Sequence, residues 1–240
     1  MIGLSCWLAI IAVVDLFRAR RDTASIRRRA VLSLVGAAAV LGVAASAHPR
    51  DAWGWSAWCV GALLLAGWVV GSGLPQRGRG ATIAYGSLVL GTIAFGLAGT
   101  RTGELGWLDR LLSGSIIDTV DPARALAALS VVLLQISTAN IAIRVLLDLV
   151  GVPAQDNEKT LRGGRILGPM ERLIIVGLGL TGNLTGATIV VAAKALLRFP
   201  ELRTTSPDHR AGASDVTEYF LIGSFASWIV AFGCVALASV

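Results

Sequence analysis

The apolar residues of this chain fall in blocks of about 20 with no amphipathic spacing, and that leaves few folds open. A helix rising ~1.5 Å per residue needs about 20 residues to cross ~30 Å of hydrocarbon, where lipid offers no partner to a bare backbone group. Seven blocks are readable, at about residues 2–17, 30–47, 55–74, 81–99, 122–150, 172–194 and 216–237. The expected fold is an all-α, polytopic transmembrane helix bundle of about seven spans. Charged residues make up only 15% of the chain, against ~25% in a typical soluble domain. So many spans leave no room for a separate soluble domain, and residues 1–240 read as a single integral membrane domain.

Charge decides the orientation. The loop RARRDTASIRRR holds six arginines between the first two blocks, and such loops stay in the cytoplasm. The turn PQRGRG and residues 152–172 fall on the same side, giving twelve basic residues against four in the segments 48–54 and 100–124. The N-terminus is therefore expected outside. The first block is expected to be an uncleaved helix, since arginines follow it and no basic region precedes it. Asp15 and Arg18 read as a local pair at its interfacial end. The excess of 6 positive charges fits this bias better than nucleic-acid binding. Residues 105–112 read as a short helix on the membrane surface.

Span five carries Ser130, Ser137, Asn140, Arg144 and Asp148. On a continuous helix these fall within an arc of roughly 80°, with Gln135 and Thr138 on other faces. A polar seam inside a span must face protein or water. Asp121 followed by Pro122 marks its start, and Gly151 with Pro153 marks its end.

Block six, between Arg172 and Lys194, holds TGNLTG, a poor helix former, at its centre. One reading is a single pass bent at Gly182-Asn183. The other is a hairpin that sets Glu171 opposite Lys194. The short arms of a hairpin favour the single pass. Close helix packing is expected at Gly67 and Gly71, and at Gly179, Gly182 and Gly186.

Other motifs lose their force in this setting. Gly177-x-Gly179-x-x-Gly182 follows no strand, so it is no dinucleotide site. Cys6, Cys59 and Cys234 sit in separate blocks, which predicts buried free thiols and no zinc site. His48 and His209 lie in loops, and no paired carboxylates or Ser-His arrangement appears. Neither an enzyme nor a metal or other cofactor is expected.

The stretch GRILGPMERLIIVGLGLTGNLTGATIVVAAKALLRFPEL, followed by TEYFLIGSFASW, resembles an uncharacterised family of small bacterial polytopic membrane proteins. The resemblance covers the C-terminal third. It implies a bacterial plasma-membrane location and singles out Glu171, Arg172, Lys194, Arg198 and Glu218. From the residues themselves, the leading expectation is a small transporter or channel-like protein. Its polar path would run beside spans five and six, lined by Asn140, Arg144, Asp148, Glu171, Asn183, Lys194 and Glu218. The alternative is a non-catalytic membrane scaffold assembling through its glycine faces. The expected partners are the lipid bilayer and either a second copy or another membrane protein, with no nucleic acid.

Overall fold

Helix starts in the first half are set by side chains that satisfy the orphan N–H groups of a first turn. Ser25 accepts from the Arg28 N–H, Asp51 from Gly54 and Asp121 from Arg124, with Pro122 in the first turn. A computed structural model describes residues 2–18, 25–74, 79–112, 121–151, 164–203 and 210–239. Of residues 109, 111, 112, 164–166, 197–203 and 210–220 only the backbone is described.

The described residues form α1 (Ile2–Arg18), α2 (Ile26–Ala47), α3 (Ala52–Gly71), α4 (Gly80–Ala98) and the short α5 (Gly106–Leu112). There follow α6 (Pro122–Ile136), α7 (Thr138–Val150), α8 (Gly164–Leu180), α9 (Leu184–Arg203) and α10 (Arg210–Ser239). No strand occurs among them, and the fold is all-α. Segments 26–47, 52–71, 80–102 and 221–239 are long and apolar enough to cross a membrane. The pair α6 and α7, bent by 44°, makes a fifth if counted as one broken span.

The backbone divides into two compact units, Met1–Ile141 and Ala142–Val240. In the first, α3 packs against both α2 and α4, while α1 packs against α6 and α2. Its core is aromatic. Trp7, Trp58 and Trp68 are fully buried, and Phe95 lies 5.6 Å from the Trp7 ring and 5.0 Å from the Trp58 ring. Each indole N–H finds an acceptor inside: Trp7 donates to the Gly61 carbonyl at 2.8 Å, Trp58 to the Thr102 carbonyl at 3.0 Å, and Trp68 to Asp15. The rings fit because the helices facing them carry glycine. A Cβ at Gly91 would overlap the Trp7 indole, and one at Gly61 would overlap Phe95. A Cβ added at Gly67 would meet Ser87, and one at Gly71 the backbone of Gly80 and Ala84, where α3 lies against α4. In α5, Leu108 is buried and Trp107 exposed.

In the second unit α8 packs against both α9 and α10. Here the chain departs from the favoured single pass. The helix stops at Leu180 and restarts at Leu184. Lys194 returns to pair with Glu171, residues that a continuous helix would hold ~35 Å apart. Block six is therefore a helical hairpin. Gly179 meets Val235 of α10, but Gly182 and Gly186 serve the turn and not a packing face.

The surface has the polarity of a protein in an apolar solvent. Leu34, Leu63, Leu97, Leu196 and Ile229 are each 70–74% exposed, while Asp15 and Gln135 are fully buried and Arg172 is 2% exposed. Water would penalise every one of those leucines; lipid does not. None of the three cysteines is in a disulfide; Cys6 is buried and Cys234 half-buried, but Cys59 is exposed, contrary to the expectation of uniformly buried thiols.

Gly91→Val is expected to lower the detergent melting temperature by the several degrees that ~1–3 kcal/mol of overpacking implies. Gly86→Val on the same helix, with open space at its Cβ, should leave it within about a degree. Equal melting of the two variants would contradict the Trp7 packing.

Candidate functional site

Among the described residues, each unit buries a carboxylate that has the same pair of partner types. In the first, α1 carries Asp15 and Arg18 three residues apart on one face, with Arg18 Nη1 2.9 Å from Asp15 Oδ1. Trp68 Nε1 donates to the other oxygen, Oδ2, at 2.8 Å. Ser72, the C-cap of α3 one turn beyond Trp68, accepts from Arg18 Nη2 at 2.8 Å and donates to the Trp68 carbonyl. Thr138 is buried beside the same carboxylate, in a looser geometry than a full hydrogen bond. Asp15 has no exposed surface, so the pair read as interfacial is an internal one. Spacing revealed the i, i+3 pair, but the donors come from α3, whose register against α1 no local pattern encodes.

The seam of span five is not continuous. Ser137 leaves the helical region at φ −120° and ψ −71°, separating α6 from α7. Its hydroxyl donates to the Ala12 carbonyl of α1 at 2.7 Å and back to Leu133 at 3.1 Å. A serine bonding outward and backward in this way bends a helix. The bend also redistributes the polar face. Ser130, Gln135, Ser137 and Thr138 are buried, so Gln135 and Thr138, expected on other faces, belong to the inward side. Asn140 is half-buried and donates to the Ile136 carbonyl at 2.9 Å across the break. Arg144 and Asp148, in the second unit, are half-buried. The single arc drawn through all five residues does not survive the break.

The second carboxylate is Glu171 on α8. Its Oε2 pairs with Lys194 Nζ from α9, and its Oε1 accepts from Trp228 Nε1 of α10 at 2.8 Å. The ammonium also stands 5.9 Å from the centroid of the Trp228 ring, within cation–π range. Phe225 meets that ring edge-on at 5.3 Å. Next to Glu171, the buried Arg172 donates to Ser227 at 3.1 Å, which fastens α8 to α10 a second time.

Two residues bring Lys194 back. Gly182 takes φ +80°, a left-handed turn that suits glycine, and Asn183 N–H reaches the Leu178 carbonyl at 2.8 Å, closing the end of α8. Asn183 Oδ1 then accepts from the Gly186 N–H at 2.9 Å and starts α9. Asn183 is thus an exposed cap and not a lining residue. The side chain of Glu218 lies outside the described residues, as does that of Arg198. Sequence reasoning missed Trp228, Ser227 and Phe225, because α10 carries no charged residue beyond Glu218 to draw attention to that stretch. An indole is the signal that was available: inside a span its N–H needs an acceptor.

Among the described residues no group of three His, Cys, Asp or Glu side chains could hold a metal ion. What both centres do is give each oxygen of a buried carboxylate a donor of its own. No family model, no curated protein and no solved structure matches this chain.

Asp15→Ala should cost ~3–5 kcal/mol, because it leaves the Arg18 guanidinium buried against Trp68 and Ser72 without its carboxylate. Trp68→Phe, losing one charge-assisted hydrogen bond, should cost only ~1.5–3 kcal/mol. Chemical denaturation in detergent measures both. An Asp15→Ala protein as stable as wild type would place that side chain in water.

Proposed function

We propose that the protein is a multi-pass membrane protein working as a small transporter or channel-like protein, with no catalytic role. Its working element is the hairpin of α8 and α9. The observation that carries this reading is the Glu171–Lys194 pair at the base of that hairpin. Beyond the pair the arms are apolar and ~15 Å deep, about half the ~30 Å hydrocarbon thickness. A helical hairpin too short to cross, closed at its mouth by an ion pair, is a re-entrant element. Irregular backbone at membrane depth is tolerated where it borders protein or a wet path, and ionisable groups there mark such paths.

The interruption at Ser137 supports the same reading. Broken helices whose freed backbone groups face a path are a common feature of transporters, and each compact unit contributes to one or other break. The scaffold alternative drew on glycine faces. Gly67, Gly71 and Gly179 spend theirs on neighbours within their own units.

The proposed topology has the N-terminus outside, six crossings (α1, α2, α3, α4, α6 with α7, and α10) and the hairpin entering from the cytoplasmic side. The C-terminus then lies outside. The resemblance noted above supports a bacterial plasma membrane as the location.

Cysteines substituted at Ser25, Gly164 and Arg203 should be shielded from an impermeant thiol reagent in intact cells, while one at Glu104 labels. Arg203 labelling together with Glu104 would restore the single pass. For activity, proteoliposomes challenged with gradients of protons, alkali cations, chloride and alkylammonium should lose at least one gradient faster than empty vesicles. Glu171→Gln should slow that loss at least about tenfold, the factor that ~1.4 kcal/mol of lost interaction gives. No gradient lost faster than in empty vesicles would overturn the transport reading.

A further inference from the structure

We infer that the Glu171–Trp228 centre is a binding site for a primary alkylammonium cation, and that Lys194 is its tethered stand-in. The inference rests on the transport reading and names a substrate class for it. The argument begins with which parts are fixed. Glu171 on α8 and Trp228 on α10 are joined by the indole hydrogen bond, and the same two helices are pinned by Arg172 to Ser227 and by the close fit of Gly179 on Val235. The carboxylate oxygen and the ring face therefore stay in place whatever happens to α9. They form an anionic acceptor beside an aromatic surface, the combination that recognises an ammonium head group.

The cation, by contrast, arrives from the other arm on a flexible four-carbon stem. Lys194 is 22% exposed where Glu171 is 8% exposed. Around it the side chains of α9 are small: Ala192, Ala193 and Ala195 leave the stem room to turn. When the lysine swings away, Glu171 keeps Trp228 on Oε1 and only Oε2 loses its partner, so the carboxylate is half-satisfied and ready for another ammonium. Phe225, 57% exposed and set against the Trp228 ring, offers an apolar wall for a short alkyl group. Asp15 makes the contrast. Its cation, Arg18, comes from its own helix, has a side chain only 9% exposed, and is held by Ser72 as well. That centre has no partner to exchange.

Lys194→Ala empties the position, and the probe is ethylammonium chloride against sodium chloride at equal ionic strength. A saturable rise in melting temperature, seen with ethylammonium only, is expected for the purified variant in detergent. It should be absent in Lys194→Ala/Glu171→Gln and weakened at least tenfold in Lys194→Ala/Trp228→Leu. Wild type should need at least tenfold more ethylammonium, because Lys194 competes. If Lys194→Ala cannot be purified in sodium chloride, its recovery as monodisperse protein in ethylammonium alone supports the site. No shift over sodium chloride, an equal shift without Glu171, or no recovery in either salt would overturn it. Flux of other solutes with no ethylammonium shift overturns the site and leaves transport standing. A shift without any flux does the reverse.

Discussion

A carboxylate taken out of water has to be given back its charge stabilisation, and this chain supplies it twice by the same recipe. One oxygen receives a basic side chain and the other a tryptophan N–H: Arg18 and Trp68 on Asp15, Lys194 and Trp228 on Glu171. The indole suits the task because its broad ring fills apolar space while its single donor reaches inward. Without such partners the ionised form would be too costly to hold in hydrocarbon. The helix packing of each unit follows from this need. Asp15 requires α1 against α3, and Glu171 requires both α9 and α10 against α8. In neither case does a charge face lipid with its partner missing.

The two centres differ in where the cation originates. A base three residues away on the same helix stays within reach of its carboxylate however the neighbouring helices move, whereas a base on a separate arm stays only while that arm does. Burial follows the same division, with Arg18 at 9% exposure and Lys194 at 22%. One centre is built as a staple and the other as a latch.

Much of the architecture was legible in the sequence because it depends on local chemistry. The Asp121–Pro122 start of α6 needs only neighbouring residues, and so do the apolar blocks at 30–47 and 81–99 that became α2 and α4. The breaks were harder. Serine is tolerated within helices, and what turns Ser137 out is the carbonyl of Ala12, on another helix and far off in sequence. The hairpin was visible as an alternative, since Glu171 and Lys194 lie almost symmetrically about Gly182-Asn183. It was set aside because each arm is too short to span, an objection that does not apply to a segment that need not cross. Asp15 could be paired by spacing, but its depth could not be known before α3 supplied Trp68 and Ser72.

The turn that ends α8 and begins α9 allows no slack. Gly182 closes one helix and Asn183 opens the next, so the lengths of chain from the turn to Glu171 and to Lys194 are fixed like the two legs of a pair of compasses. A single residue added to or removed from either arm would swing its charged side chain by about 100° around the helix and carry the pair out of reach. Natural variation in chain length within 171–194 should therefore come only in matched changes to both arms. Lengthening at 152–163, outside this stretch, would leave the pairing untouched.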